Sequence, residues 1–116
     1  MRVRNVTRDV QLADRANIAD SSETRRTGLL KHTGLAPGEG LWIAPCEAVH
    51  TFFMKFPIDV VFLDKKKQVV KVRHDMGAWR IAGSLSARTV LELPAGTCKR
   101  TGTVKGDQLE FEKYDA

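Results

Sequence analysis

Ile58-Asp59-Val60-Val61-Phe62-Leu63 is the stretch that decides the fold. In an extended chain, Ile58, Val60 and Phe62 point to one side while Asp59, Val61 and Leu63 point to the other. Both faces are apolar, which is how a strand covered on both sides reads, not one lying on a half-solvated sheet. Before it stands the apolar run Thr51-Phe52-Phe53-Met54-Lys55-Phe56-Pro57. Pro57 removes a backbone donor and so stops any helix or central strand at its own position. After it, Ile58–Asp64 and Gln68–Arg73 read as a β-hairpin across Lys65-Lys66-Lys67.

Working outward, Thr89–Leu93 is a further strand, ended by Pro94-Ala95-Gly96. Gly106-Asp107 turns the chain into Gln108–Glu112, where Leu109 and Phe111 alternate with charged neighbours. Upstream, Leu41-Trp42-Ile43 is a strand that follows the loop Ala36-Pro37-Gly38-Glu39-Gly40 and is broken by Ala44-Pro45-Cys46-Glu47. Shorter extended pieces fall at Arg2–Val6, Val10–Leu12 and Asn17–Ala19. One helix is expected over about residues 21–32, capped by Asp20 with Glu23 reaching back three residues later. Lys31 and His32 suit its last turn and Gly34 its end. Gly28 would lie inside it, which implies close packing of helix backbone against a sheet. The expected fold is mainly β: a compact β-sandwich or partly open barrel of about eight short strands with one short α-helix, in a single domain spanning residues 1–116.

The 116 residues, 42% hydrophobic and 28% charged, have the balance of an ordinary globular domain, long enough to fold without a metal or disulfide. Neither a signal-peptide core nor an apolar run of roughly 20 residues is present, so a cytoplasmic location and no membrane partner are expected. Cys46 and Cys98 are too far apart for a Cys-x-x-Cys motif and are expected as free thiols. The net charge of +5 concentrates in Lys65-Lys66-Lys67 and in the Lys99-Arg100 to Lys105 region. These read as a hairpin tip and a connection between strands, where lysines protect sheet edges. A basic surface is present, but no pattern for reading nucleic-acid bases.

Asp59 is the most informative single residue. A carboxylate in a doubly covered strand needs a cation or several hydrogen-bond donors. Arg25, Lys55, Arg80 and backbone amides near Pro57 are the candidate partners. Asp59 then either pins an irregular turn or forms the polar floor of a binding site. Cys46 and His50 lie four apart with Thr51 adjacent, and could form a nucleophile–base pair or two metal ligands. His32 and His74 are the only other histidines, so a ligand set is incomplete; no metal or cofactor is expected, and ordinary loop packing is the plainer reading. Glu92, between Leu91 and Leu93, is turned by alternation away from the core, onto a solvated face or toward Lys55 or Arg80. Trp79-Arg80 could make a stacking and anion-contacting corner. No phosphate-binding Gly-rich loop, nucleophile elbow, His-Glu-x-x-His or zinc-spaced cysteine set occurs.

Several segments, taken in order, resemble a known family. They are Arg25-Arg26-Thr27-Gly28-Leu29-Leu30, Gly40-Leu41-Trp42-Ile43, Pro45-Cys46, His50-Thr51-Phe52-Phe53-Met54, Phe56 through Asp64, Trp79-Arg80 and Val90-Leu91-Glu92-Leu93-Pro94-Ala95-Gly96. Together they are similar to the prokaryotic family called domain of unknown function 192, over roughly Ala19 to Leu109. The resemblance implies a compact, mainly-β fold with a single helix, and it implies no activity. Its motif falls on Gly28, His50, Met54, Asp59 and Glu92. Two positions depart from it: Phe53 stands where many members carry Trp, and Lys65-Lys66-Lys67 stands where many place a Gly in the hairpin turn.

Three functional readings follow. The first is a small non-enzymatic binding or interaction domain for an unknown small molecule or protein. Its site lies around residues 46–59, with Cys46, His50, Met54, Lys55, Asp59, Trp79, Arg80 and Glu92 as candidates. The second is an enzyme using Asp59 or His50 as general base, which requires access from solvent. The third is salt-sensitive nucleic-acid association through the basic surface.

Overall fold

The computed structural model describes residues 1–114. Its centre is a five-stranded mixed sheet of β3 (Arg15–Ala19), β4 (Glu39–Ile43), β9 (Thr89–Pro94), β6 (Ile58–Leu63) and β7 (Val69–Met76), in that spatial order. β3 and β4 are parallel and joined through helix α1 (Ser22–Thr27); the other pairs are antiparallel. A three-stranded sheet, β1 (Arg2–Asn5) between β2 (Val10–Ala13) and β10 (Leu109–Glu112), covers one face. On the other side lie α1 and a two-stranded ribbon of β5 (Ala48–His50) and β8 (Ile81–Gly83). Helix α2 (Thr97–Thr101) follows β9. The molecule is therefore mainly β and layered, with open sheets, in keeping with the expected fold class.

The double burial of β6 follows from this layering. Ile58, Val60 and Phe62 enter one core with Leu41, Ile43, Val90 and Leu29. Val61 and Leu63 enter the other with Val3, Leu12, Leu91, Leu93 and Leu109. All six residues of the strand are fully buried. Each large apolar side chain so placed contributes about 1.5–3 kcal/mol relative to an exposed one.

Several local expectations are corrected. Helix α1 is six residues long, not twelve, and Ser21 caps it in place of Asp20. The Ser21 hydroxyl accepts the Thr24 N–H at 3.0 Å while the Thr24 hydroxyl accepts the Ser21 N–H at 3.1 Å, a reciprocal box one residue later than expected. Gly28 does not sit inside the helix; it ends it, with φ +48° and ψ −126°. Lys31 and His32 consequently lie in turns beyond the helix. The Lys99-Arg100 region, expected as a plain connection, carries α2, whose first residues Thr97 and Cys98 are buried. At the hairpin tip, the Asp64 carboxylate accepts the N–H groups of Lys66 and Gln68, and Lys67 itself takes the left-handed position (φ +64°). Lys67 is not a purely solvated tip residue either, since its ammonium lies 5.6 Å from the centre of the Trp42 ring.

Candidate functional site

The two acidic residues singled out in the sequence lie on opposite faces of the central sheet. Asp59 pairs with Leu93 across β6 and β9 and faces the core beneath the three-stranded sheet. It is 0% exposed. One carboxylate oxygen accepts the Asp75 N–H at 2.8 Å and the other accepts the Cys98 N–H at 2.8 Å. None of the expected partners Arg25, Lys55 or Arg80 reaches it, nor do amides near Pro57. Two main-chain donors replace them, one from the end of β7 and one from the first turn of α2. The carboxylate thus bolts three elements together and has no path to solvent, so a general-base role for Asp59 is withdrawn. Its neighbour Cys98 is held far from ionisation: burial first, then the Asp59 carboxylate, push the thiol up to about 12.

Glu92 lies in the middle strand of the sheet, between Leu41 of β4 and Val60 of β6 on the opposite face. The expectation of a solvated position is corrected: Glu92 is 5% exposed. Alternation misled because Leu91 and Leu93 fill one core while Val90 and Glu92 face the other, and both sides of this strand are covered. Neither Lys55 nor Arg80 pairs with the carboxylate, and no described residue donates a hydrogen bond to it. Burial pushes its pKa up from 4.5 to about 7.

This carboxylate forms the floor of a cleft of about 300 Å³. Arg25, Arg26, Thr27 and Gly28 line it from α1 and its end, with Leu29 and Leu30 from the turn that follows. Ile43, Cys46, Val49, His50 and Met54 form the facing side. Four of the candidates therefore meet here: Cys46, His50, Met54 and Glu92. The other four do not line it. Lys55 and Arg80 are exposed, Trp79 belongs to a neighbouring aromatic ridge, and Asp59 is sealed on the far face. Arg25 and Arg26 were missed as cleft residues. The apolar spacing of the helix carried no sign of them, because α1 buries no residue of its own against the sheet.

The loop bearing Met54 is held by Thr51, which is fully buried. Its hydroxyl donates to the Gly77 carbonyl at 2.6 Å and accepts the Arg80 N–H at 2.9 Å, while its own N–H donates to the Arg80 carbonyl. Beyond it, the rings of His50 and Phe52 stack at 5.0 Å, and Trp79 lies 5.5 Å from Phe52 and 4.7 Å from Phe53. Phe53 is 70% and Trp79 56% exposed, both with left-handed φ near +65°. The expected corner of Trp79 with Arg80 is therefore not what forms: Trp79 packs with Phe52 and Phe53, and the Arg80 guanidinium reaches only the Trp79 carbonyl.

Cys46 does not form a nucleophile–base pair. Its thiol donates to the Ala48 carbonyl at 3.1 Å, and burial foremost, with the Glu92 charge adding, raises its pKa. A protonated thiol bonded to a carbonyl is a poor nucleophile. Among the described residues, no three His, Cys, Asp or Glu side chains come together as a metal site. Both cysteines are free.

What fold and site define is a small layered β domain with a carboxylate-floored cleft and, among the described residues, no cluster of three metal-ligating side chains. The chain belongs to the family domain of unknown function 192, described as "Uncharacterized ACR", whose model matches residues 3–111. It is 34% identical to a UPF0127 protein of Pyrococcus abyssi, covering 92% of this chain and 94% of that one. A UPF0127 protein of Thermococcus sibiricus is 30% identical, with 93% of this chain and 73% of that one covered. Among solved structures, a protein of unknown function from Novosphingobium aromaticivorans superposes with a TM-score of 0.82 at 20% identity, covering 95% of this chain and 82% of that one. A Sinorhizobium meliloti protein described as a candidate transcription regulator superposes with a TM-score of 0.80 at 24% identity, covering 94% and 89%. These two likenesses establish the fold. No helix among the described residues is long and apolar enough to cross a membrane.

Proposed function

We propose that the chain is a small ligand-binding domain whose site is the cleft between α1 and the β4–β5 side of the sheet. One observation carries this reading: Glu92 is buried at the cleft floor, with no hydrogen bond from the chain. A carboxylate that opens only into a narrow cleft and is given no donor by the chain costs the folded state free energy, and such groups gather where a ligand supplies what the chain withholds. Asp59 and Asp107 make the contrast, since both are buried and both accept hydrogen bonds from the chain. The apolar lining with a few convergent polar groups is the usual make-up of a small-molecule site. The enzymatic reading fares unevenly: Asp59 is sealed away from solvent, the Cys46 thiol at the cleft wall is engaged by the Ala48 carbonyl, and His50 lines the cleft with no second reactive group paired to it among the described residues.

The test is a fragment screen followed by methyl and amide NMR spectra. Binders are expected to move the signals of Ile43, Val49 and Met54, and to lose that effect in a cleft-filling Val49→Trp variant. A screen whose binders all leave these signals unmoved, settling instead on the Phe53–Trp79 ridge or the Lys65–Lys67 turn, overturns the assignment.

A further inference from the structure

We infer that the cleft takes a zwitterion, with a primary ammonium group set against Glu92, an apolar spacer along the walls, and an anionic group at the arginine-bearing rim. This rests on the cleft being the site, as proposed above, and adds the chemical class of its occupant. The inner end supplies the first half of the argument. Glu92 lies between Leu41 and Val60 in the sheet, so its lateral neighbours on that face offer no donors. A carboxylate has about four acceptor positions, and those of Glu92 are left unfilled by the chain. A primary ammonium group brings three donors and the missing positive charge together, which gives the strongest hydrogen bonds available to such a site.

The rim supplies the second half. Arg25 and Arg26 line the cleft from α1, and His50 lines it from β5. The Arg25 guanidinium donates to the Asp20 carbonyl at 3.0 Å, which leaves its charge uncompensated by any carboxylate. Neither arginine has an acidic partner within salt-bridge distance among the described residues. A ligand that was cationic throughout would meet these like charges on the way in, and one that was anionic throughout would bring its charge to a carboxylate. Among charged ligands, one with opposite charges at its two ends satisfies both. Leu29, Ile43, Val49 and Met54 lie between them and fit an aliphatic spacer.

The experiment titrates labelled protein with four probes of matched length: ε-aminocaproate, hexylamine, hexanoate and hexanol. The Ile43, Val49 and Met54 signals serve as the readout. ε-Aminocaproate is expected to bind about ten-fold or more tighter than hexanol, a preference of about 1.4 kcal/mol or more. Glu92→Gln removes most of the preference for both amines over hexanol, with hexanol binding unchanged. Arg26→Gln weakens ε-aminocaproate several-fold and leaves hexylamine as it was. If hexanoate or hexanol binds as tightly as ε-aminocaproate, the zwitterion is overturned while the cleft remains a binding site. If hexylamine matches ε-aminocaproate, the anionic end is wrong and the inference falls with it. If no probe and no fragment moves the cleft signals, the proposed function itself fails.

Discussion

The two faces of the central sheet treat a buried carboxylate in opposite ways. Under the three-stranded sheet, Asp59 is met by two main-chain N–H groups at 2.8 Å, and everything around it is packed shut. Under α1, Glu92 is met by nothing, and the space in front of it is open to a cleft. Both side chains are nearly inaccessible, and burial alone would make them equivalent. Satisfaction separates them: one acid holds the fold together, and the other is a cost the fold carries. The difference is what sets the proposed binding site on the α1 side and not under the three-stranded sheet.

The largest way to break this comparison is to remove the anchored acid. Asp59→Ala leaves one buried and one part-buried N–H group without an acceptor, at about 1–3 kcal/mol each, so a total loss of about 3–5 kcal/mol is expected. The midpoint of urea denaturation measures it. Asp59→Asn keeps one acceptor but turns an NH₂ toward the second N–H, and should also lose stability. Thermal stability unchanged by either substitution would show that Asp59 is no bolt, and the contrast between the faces would collapse.

Removing the other acid should act in the opposite direction, and only at the right pH. The Glu92 pKa is about 7 in the folded chain against an ordinary 4.5. Between those values the folded state holds a proton that the unfolded state has released. The contribution of Glu92 is therefore fully present below about pH 4.5, declines as pH rises, and is lost above about pH 7, where the charge costs roughly 3 kcal/mol. Glu92→Gln should stabilise the protein by up to that amount at about pH 8 and by little at about pH 4. Thermal melts of both proteins across this range check the sign. A substitution that destabilises at every pH would mean Glu92 has a structural partner after all.

How much of this contrast could be read from the sequence depends on the residue. The apolar character of both faces of Ile58–Leu63 was enough to show a doubly covered strand, because a period of two leaves no solvated side. It was also enough to mark Asp59 as a residue needing donors. The donors themselves were not legible, since Cys98 and Asp75 come from chain 39 and 16 residues away, and a main-chain N–H leaves no trace in residue type. Glu92 was misread for a different reason. Its neighbours Leu91 and Leu93 suggest one buried face, and only the packing of Leu29, Met76, Ala82 and Ala87 over the sheet shows that the second face is covered too. Cys46, His50 and Met54 were legible as a group because they lie close in sequence. Arg25 and Arg26 were not, since the fold alone sets them opposite.

A smaller effect sharpens the comparison at the edge of the cleft. Thr51→Val removes a hydroxyl that donates to Gly77 and accepts from Arg80, leaving a part-buried N–H and carbonyl unmatched. A loss of about 2 kcal/mol is expected. Hydrogen exchange should rise at Trp79 and Arg80, whose N–H groups bond to Thr51, while Asp75 and Cys98 on the far face stay protected. Uniform loss of protection would mean that the two faces open together and are not independent.

The smallest expected effect concerns Gly28, and its cause can be isolated. Gly28 ends α1 and lines the cleft, with φ +48° and ψ −126°. A Cβ added there would meet only the Arg25 carbonyl oxygen at 3.9 Å, an ordinary contact, so crowding is not what keeps the position glycine. The backbone angles are, since side chains rarely tolerate them. Gly28→Ala should then cost about 1–2 kcal/mol, and Gly28→Ser the same, because strain in the main chain is indifferent to the size of the substituent. Asn, which eases left-handed helical positions, should give no relief here, because ψ −126° lies far from that region. The chain can escape the strain by unwinding the end of α1, which would carry Leu29 and the arginine rim with it. Urea midpoints for the three variants, read beside the Ile43 and Met54 signals, separate the causes. A cost growing from Ala to Ser to Asn would restore close packing as the reason for glycine, while an equal cost with shifted cleft signals ties the helix end to the shape of the site.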